Sequence, residues 1–80
     1  MKNTFVVDKE DVIIDIYPTK SFEVKVITKD ETIEFSSNGK NRFSIGNESK
    51  IYNEGNLVKR IFFYKTGKPV EIFVKPVFKK

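Results

Sequence analysis

The chain has 80 residues, of which 39% are hydrophobic, and a formal net charge of +4, so it is long enough for one domain with one small core. It contains no histidine and no cysteine, which excludes thiolate zinc sites, disulfide frameworks and the usual histidine-dependent catalytic groups. No apolar run approaches the roughly 18 residues of a membrane span, and the N-terminal residues lack the apolar core of a signal peptide. We therefore expect one domain over residues 1–80, in the cytoplasm and without membrane contact.

The apolar residues are those typical of β-strands. Nine valines, nine isoleucines and eight phenylalanines stand against one leucine and no alanine. No apolar pattern of helical period continues for more than about two turns with caps at its ends. The composition therefore predicts an all-β protein.

Short apolar runs separated by turn residues begin at the N-terminus. The first predicted strand covers residues 4–7, and the charged turn 8–11 leads into a second strand at 12–17. Pro18 is predicted to end that strand because it lacks a backbone donor. Within it, Val12, Ile14 and Ile16 are predicted to share one face.

Residues 22–28 and 31–37 alternate apolar and polar side chains with the period of half-buried strands. A two-residue loop at 29–30 would join them as a hairpin with matching faces. It sets Val26 opposite Ile33, Val24 opposite Phe35 and Lys25 opposite Glu34.

The next turn contains Asn38-Gly39, a strong hairpin signal. A two-residue loop there would place Phe35 opposite Arg42, so a three-residue loop at 37–39 is preferred, with Gly39 in the left-handed conformation of a bulge. That register sets Ile33 opposite Phe43 and Glu31 opposite Ile45. Two more short strands follow at 42–45 and 50–53, with turns at 46–49 and 53–56.

The last segment, residues 57–78, is the most apolar and most basic part of the chain and is predicted to be a hairpin. With a three-residue turn at 65–67 and Gly67 left-handed, Phe62 faces Val70, Arg60 faces Ile72 and Val58 faces Val74. The core face then holds Val58, Phe62, Val70, Ile72 and Val74, and Ile61, Phe63, Phe73 and Glu71 are turned away from it. A two-residue loop at 66–67 would exchange the faces of the first strand and leave Phe62, Tyr64 and Phe73 outside, but Thr66 would then need a positive φ.

These elements predict a single small antiparallel domain of about seven or eight short strands in a meander. It is expected to close as a small barrel or fold as a two-layer sandwich, because an open sheet would leave an apolar face and two edges in water. Short loops favour pairing between strands that are neighbours in sequence.

The final hairpin also supplies the candidate site, because its second face carries apolar residues that core packing does not explain. The predicted partner-binding residues are Lys59, Ile61, Phe63, Phe73 and Lys75. Such an aromatic and basic face fits a protein partner, or a nucleic acid whose bases stack on rings while lysines meet phosphates. The other possibilities are that a second layer or the N-terminal strand covers this face, or that the chain pairs with a second copy through an edge strand.

No constellation for catalysis, metal or cofactor binding is found. The serines have no histidine to activate them, and the four glycines fall one per predicted turn. The spacing of Asp8, Glu10, Asp11 and Asp15 does not match a calcium-binding loop. We therefore predict a protein without enzymatic activity and without a cofactor.

Charge and codon usage suggest a setting. Residues 1–34 carry five lysines and eight acidic residues, whereas residues 35–80 carry ten basic and three acidic ones, which lets acidic strands lie against basic ones. Half of the chain, 40 of 80 residues, consists of six amino acids with AT-rich codons, as in low-GC bacteria and their phages. The first hypothesis is an accessory protein of a phage or mobile element, either a virion component or an inhibitor of a host enzyme, that binds a protein. The second is a nucleic-acid-binding barrel of the OB or SH3 type.

Overall fold

The strand-forming residues that dominate the composition build an antiparallel sheet of six strands, curled into a half-barrel. The computed structural model describes residues 3–78, and it has no helix in that range. The strands are β1 (Thr4–Val7), β2 (Val12–Val26), β3 (Ile33–Ser36), β4 (Phe43–Ile45), β5 (Ser49–Phe63) and β6 (Val70–Val77). The predicted all-β antiparallel class is confirmed.

The two longest strands, β2 and β5, form the centre of the fold. Each has 15 residues, which would measure about 50 Å if straight. The longest dimension of the molecule is 36 Å, so both strands must bend. Their bending curls the sheet around its own concave face, and that face becomes the core.

The core consists of alternate side chains from every strand. The predicted inward residues of β2 and β3, such as Phe22, Val24 and Ile33, are buried as expected, and Ile14 is buried with Val12 and Ile16 packed beside it. Aromatic rings fill one end of the core, where Phe35 contacts Phe22, Tyr52 and Phe63 at centroid distances of 6.3, 4.9 and 5.6 Å. Burial on this scale is the main contribution to the stability of so small a domain. Among residues 3–78, the large apolar side chains that are fully buried are Phe22, Phe35, Phe63, Ile33, Ile45, Ile61, Ile72, Val7, Val24, Val26, Val70 and Val74.

The prediction of seven or eight strands is wrong because two predicted breaks lie inside strands. Pro18 does not end β2, which continues to Val26, and residues 53–56 are part of β5 rather than a turn. Both segments are irregular positions where the ladder shifts register. In the sequence, a bulge inside a strand and the end of a strand carry the same turn-forming residues. The chain nevertheless continues in the same direction through a bulge.

The predicted meander is also wrong, since the strand order is β1-β6-β2-β5-β3-β4. The hairpin at 29–30 does not form, because β2 pairs with β5 and β6 instead of β3. β3 does pair with β4, but with Ile33 opposite Ile45 and Phe35 opposite Phe43, so the connecting loop is longer than predicted. Neither a closed barrel nor a two-layer sandwich results, and β1 and β4 are the edges of the half-barrel.

The final segment, 57–78, is not a hairpin. β5 and β6 lie on opposite sides of β2, so the predicted pairing of Val58 with Val74 is absent. Gly39 and Gly67 have φ values of +78° and +86°, which confirms the left-handed conformation predicted for both.

The predicted face of β5 is correct at Val58, which is buried, and is reversed beyond Lys59. Ile61 and Phe63 are fully buried and pair with Ile14 and Val12 of β2, while Phe62 is only half-buried. The physical reason is the irregularity at Lys59, which stands alone opposite residues 16–18 of β2: the inward positions of β5 change there from Val58 to Ile61 and Phe63. The alternative in which Phe62 and Tyr64 turn outward describes these side chains better, although the hairpin that it assumed does not exist.

Ion pairs join the acidic and basic halves of the chain, as the charge distribution suggested. Within residues 3–78, each of the four salt bridges links an acid from the first half to a base from the second. The pairs are Asp15–Arg60, Glu23–Lys75, Glu31–Lys68 and Glu34–Arg42. Most of these side chains are exposed, so each pair contributes little stability.

Candidate functional site

Two irregular segments lie side by side where β2 and β5 bend. On β2, residues 16–18 stand opposite Lys59 alone, and on β5, residues 54–57 stand opposite Lys20 alone. Pro18 cannot donate a ladder hydrogen bond, which accounts for the interruption on β2. β2 has extra residues at the first irregular segment and β5 has extra residues at the second. The regular ladder between the two strands is interrupted there, and a groove lies at this position.

The groove has a volume of about 450 Å³ and lies where β6 ends beside β2. It is the largest of several hollows along the described surface. Its lining comes from β2, β5, the end of β6 and the residue that follows β6. The lining residues are Pro18, Thr19, Lys20, Ser21, Asn53, Glu54, Leu57, Val77 and Phe78.

Hydroxyl groups form the floor of the groove, and their hydrogen bonds connect the three strands. The buried Thr19 hydroxyl lies 2.7 Å from the carbonyl oxygen of Ser21 and 3.0 Å from that of Val77. The Ser21 hydroxyl donates to Asn53 Oδ1 at 2.6 Å. Both hydroxyls are hydrogen-bonded within the protein, and because hydroxyl and amide groups are neutral, the floor carries no net charge.

Large apolar side chains lie next to this floor and are mostly exposed to solvent. Leu57 and Phe78 line the groove, and Tyr17 lies outside the lining. Leu57 is 59% exposed, Phe78 is 60% exposed and Tyr17 is 68% exposed. Tyr17 and Phe78 contact each other edge to face, with ring centroids 5.6 Å apart. We call Tyr17, Pro18, Leu57, Val77 and Phe78 together the apolar rim.

Two lysines near the groove lack a carboxylate partner within residues 3–78. They are Lys20, which lines it, and Lys59, and neither takes part in a salt bridge there. The one acidic residue lining the groove, Glu54, accepts a hydrogen bond from the Ser37 hydroxyl at 2.7 Å. The surroundings of the groove are therefore weakly basic.

The structure separates the five residues that the sequence pointed to. Ile61 and Phe63 belong to the core, so their predicted exposure is wrong. Phe73 and Lys75 lie on the outer face of β6, next to a shallow hollow of about 270 Å³, and Lys75 Nζ is 3.6 Å from Glu23 Oε1. Lys59 is exposed and lies opposite the irregular segment of β2.

Sequence reasoning missed Tyr17, Leu57 and Phe78. Tyr17 and Leu57 lie inside the two irregular segments, where alternation no longer indicates which face a side chain occupies. Leu57 is the only leucine of the chain, and Tyr17 precedes a proline. Those two features were the available signals, and neither is specific.

Comparison of the chain with models of protein families, with curated proteins and with solved structures gave no match. Among residues 3–78, no three metal-ligating side chains come together. That same part of the chain also has no helix that could cross a membrane.

Proposed function

We propose that the chain is a non-enzymatic β domain that binds another protein through the groove and its apolar rim. The carrying observation is that two large, mostly exposed apolar side chains, Leu57 and Phe78, line a groove of about 450 Å³ and that exposed Tyr17 contacts Phe78. On soluble proteins, contiguous exposed apolar patches often mark interaction sites. Concave sites with aromatic and aliphatic anchors are also where binding energy concentrates in protein interfaces.

The chemistry of the groove favours binding over catalysis. Its two hydroxyl groups, on Thr19 and Ser21, are hydrogen-bonded to carbonyl and amide oxygens, and neither is hydrogen-bonded to a general base. The chain has no histidine that could act as the general base and no cysteine that could act as an alternative nucleophile. A binding role needs neither.

A protein partner fits the rim better than a nucleic acid does. Tyr17 and Phe78 pack edge to face against each other, an arrangement that does not give two bases a stacking surface. Lys75, which could meet a phosphate, is already paired with Glu23. A phage or mobile-element accessory protein, either a virion component or an inhibitor of a host enzyme, remains the setting that the composition suggests.

The proposal is tested by selecting binders from a library of random linear peptides displayed against the immobilised chain. We expect selected peptides whose affinity falls at least about tenfold in a Leu57→Asp variant, because the change places a charge in the apolar rim. Ile13→Asp is the matched control, since Ile13 is also 59% exposed but does not line the groove. The affinity of the selected peptides for the Ile13→Asp variant should stay within about twofold of their affinity for the parent chain.

Two results would overturn the proposal. One is a selection in which no peptide depends on Leu57, with thermal melts showing that both variants fold. The other is a gel shift of a generic oligonucleotide at micromolar protein that disappears as salt rises and in Lys20→Glu, since that behaviour indicates phosphate contact.

A further inference from the structure

We infer that the groove takes an internal acidic peptide segment, in which one large apolar side chain is flanked by an aspartate or glutamate. This inference rests on the proposed function and specifies the chemistry of the partner. It follows from the size of the groove, the hydrogen-bonding groups at its edge and the charges around it.

The size of the groove suits one large side chain. A closed cavity of about 150 Å³ lined by apolar side chains holds a benzene molecule. The groove is about 450 Å³ and open to solvent, so it has room for a leucine, phenylalanine or tryptophan side chain together with part of its backbone. Leu57, Val77 and Phe78 supply the apolar contacts for such an anchor.

The polar edge of the groove presents donors to a carboxylate. Because the Ser21 hydroxyl donates to Asn53 Oδ1, the carbonyl end of that amide is engaged, and Nδ2 makes no hydrogen bond within residues 3–78. Lys20 lines the same groove and has no carboxylate partner in that part of the chain. An amide N–H and an ammonium group at the edge of one groove form a suitable pair for an Asp or Glu side chain.

The charges around the groove favour the same partner. Lys20 lies in the lining and Lys59 follows Leu57 by two residues, whereas Glu54 is the one acid in the lining and is held by Ser37, which does not line the groove. Charge complementarity raises association rates and disfavours partners of the same sign. A basic peptide with the same apolar anchor should therefore bind more weakly.

The test uses the peptides from the library selection and their neutral analogues. We expect Asp or Glu beside the apolar anchor in the peptides that depend on Leu57. For a synthetic peptide of that kind, Lys20→Glu should lower the affinity at least about tenfold. Replacing the acid by its amide should remove most of that dependence on Lys20, in a double-mutant cycle.

Lys29→Glu is the control variant, because Lys29 is exposed, takes no part in a salt bridge within residues 3–78 and follows the far end of β2. It changes the net charge by the same amount and should leave the affinity within about twofold.

The outcomes separate the inference from the proposed function. If peptides depend on Leu57 but carry no acid, or bind Lys20→Glu equally well, the inference is overturned and the proposed function stands. If binding requires the free C-terminal carboxylate of the peptide and is lost on amidation, an internal segment is contradicted. If no peptide depends on Leu57, the proposed function itself fails.

Discussion

Two phenylalanines, one on β5 and one on β6, differ widely in what they contact. Phe63 is fully buried, pairs with Val12 of β2 and lies 5.6 Å from the ring of Phe35. Phe73 is half-buried on the outer face, where it borders a shallow hollow beside Lys25 and Lys75. The first ring therefore contributes to stability through packing, whereas the second leaves part of its surface in contact with water.

Replacing these two phenylalanines by alanine should have unequal effects. Phe63→Ala should lower the free energy of unfolding by about 3–5 kcal/mol, because it removes buried contacts and leaves a cavity. Phe73→Ala should cost less than about 2 kcal/mol, since less apolar surface is lost. Chemical denaturation of both variants measures the difference, and equal losses would mean that the two rings are buried alike.

At the scale of elements, bulges and turns determine where the groove forms. Alternation of apolar and polar residues correctly predicted the buried faces of β2 and β3. Successive side chains of a regular strand point to opposite faces, so the local pattern is enough to identify the buried one. Alternation failed for the end of β5, because the ladder shifts at Lys59 and the inward positions change from Val58 to Ile61 and Phe63. Tyr17, Pro18 and Leu57 of the apolar rim lie within the irregular segments, so their positions could not be predicted from periodicity.

Glycine substitutions test the turn geometry against the bulge geometry. Gly67 has a φ of +86° and nothing within 4 Å of an added Cβ, so Gly67→Ala should cost about 1–2 kcal/mol through backbone strain alone. Gly55, inside the irregular segment of β5, has equally open space but no positive φ. Gly55→Ala should therefore change the free energy of unfolding by less than about 0.5 kcal/mol. Equal effects in denaturation experiments would contradict the left-handed turn at Gly67.

At the scale of the whole molecule, composition predicted the fold class but local pattern could not predict the strand order. The rejected hairpin pairs Lys25 with Glu34, and the observed sheet instead pairs Lys75 with Glu23, so both arrangements satisfy charge and face. Cross-strand pairs contribute only about 0.2–1 kcal/mol each, too little to select one arrangement from sequence. The free-energy difference between the two strand arrangements comes mainly from burial of the whole concave face. That burial depends on contacts between residues far apart in sequence.

The groove exists because β2 lies between β5 and β6, so the most direct test is the cross-strand NOE pattern of Ser21 in solution. We predict NOEs from Ser21 to both Asn53 of β5 and Val77 of β6, since Ser21 pairs with each of them. NOEs joining Val58 directly to Val74 would place β5 beside β6 as a hairpin. That result would contradict the strand order and remove the groove with it.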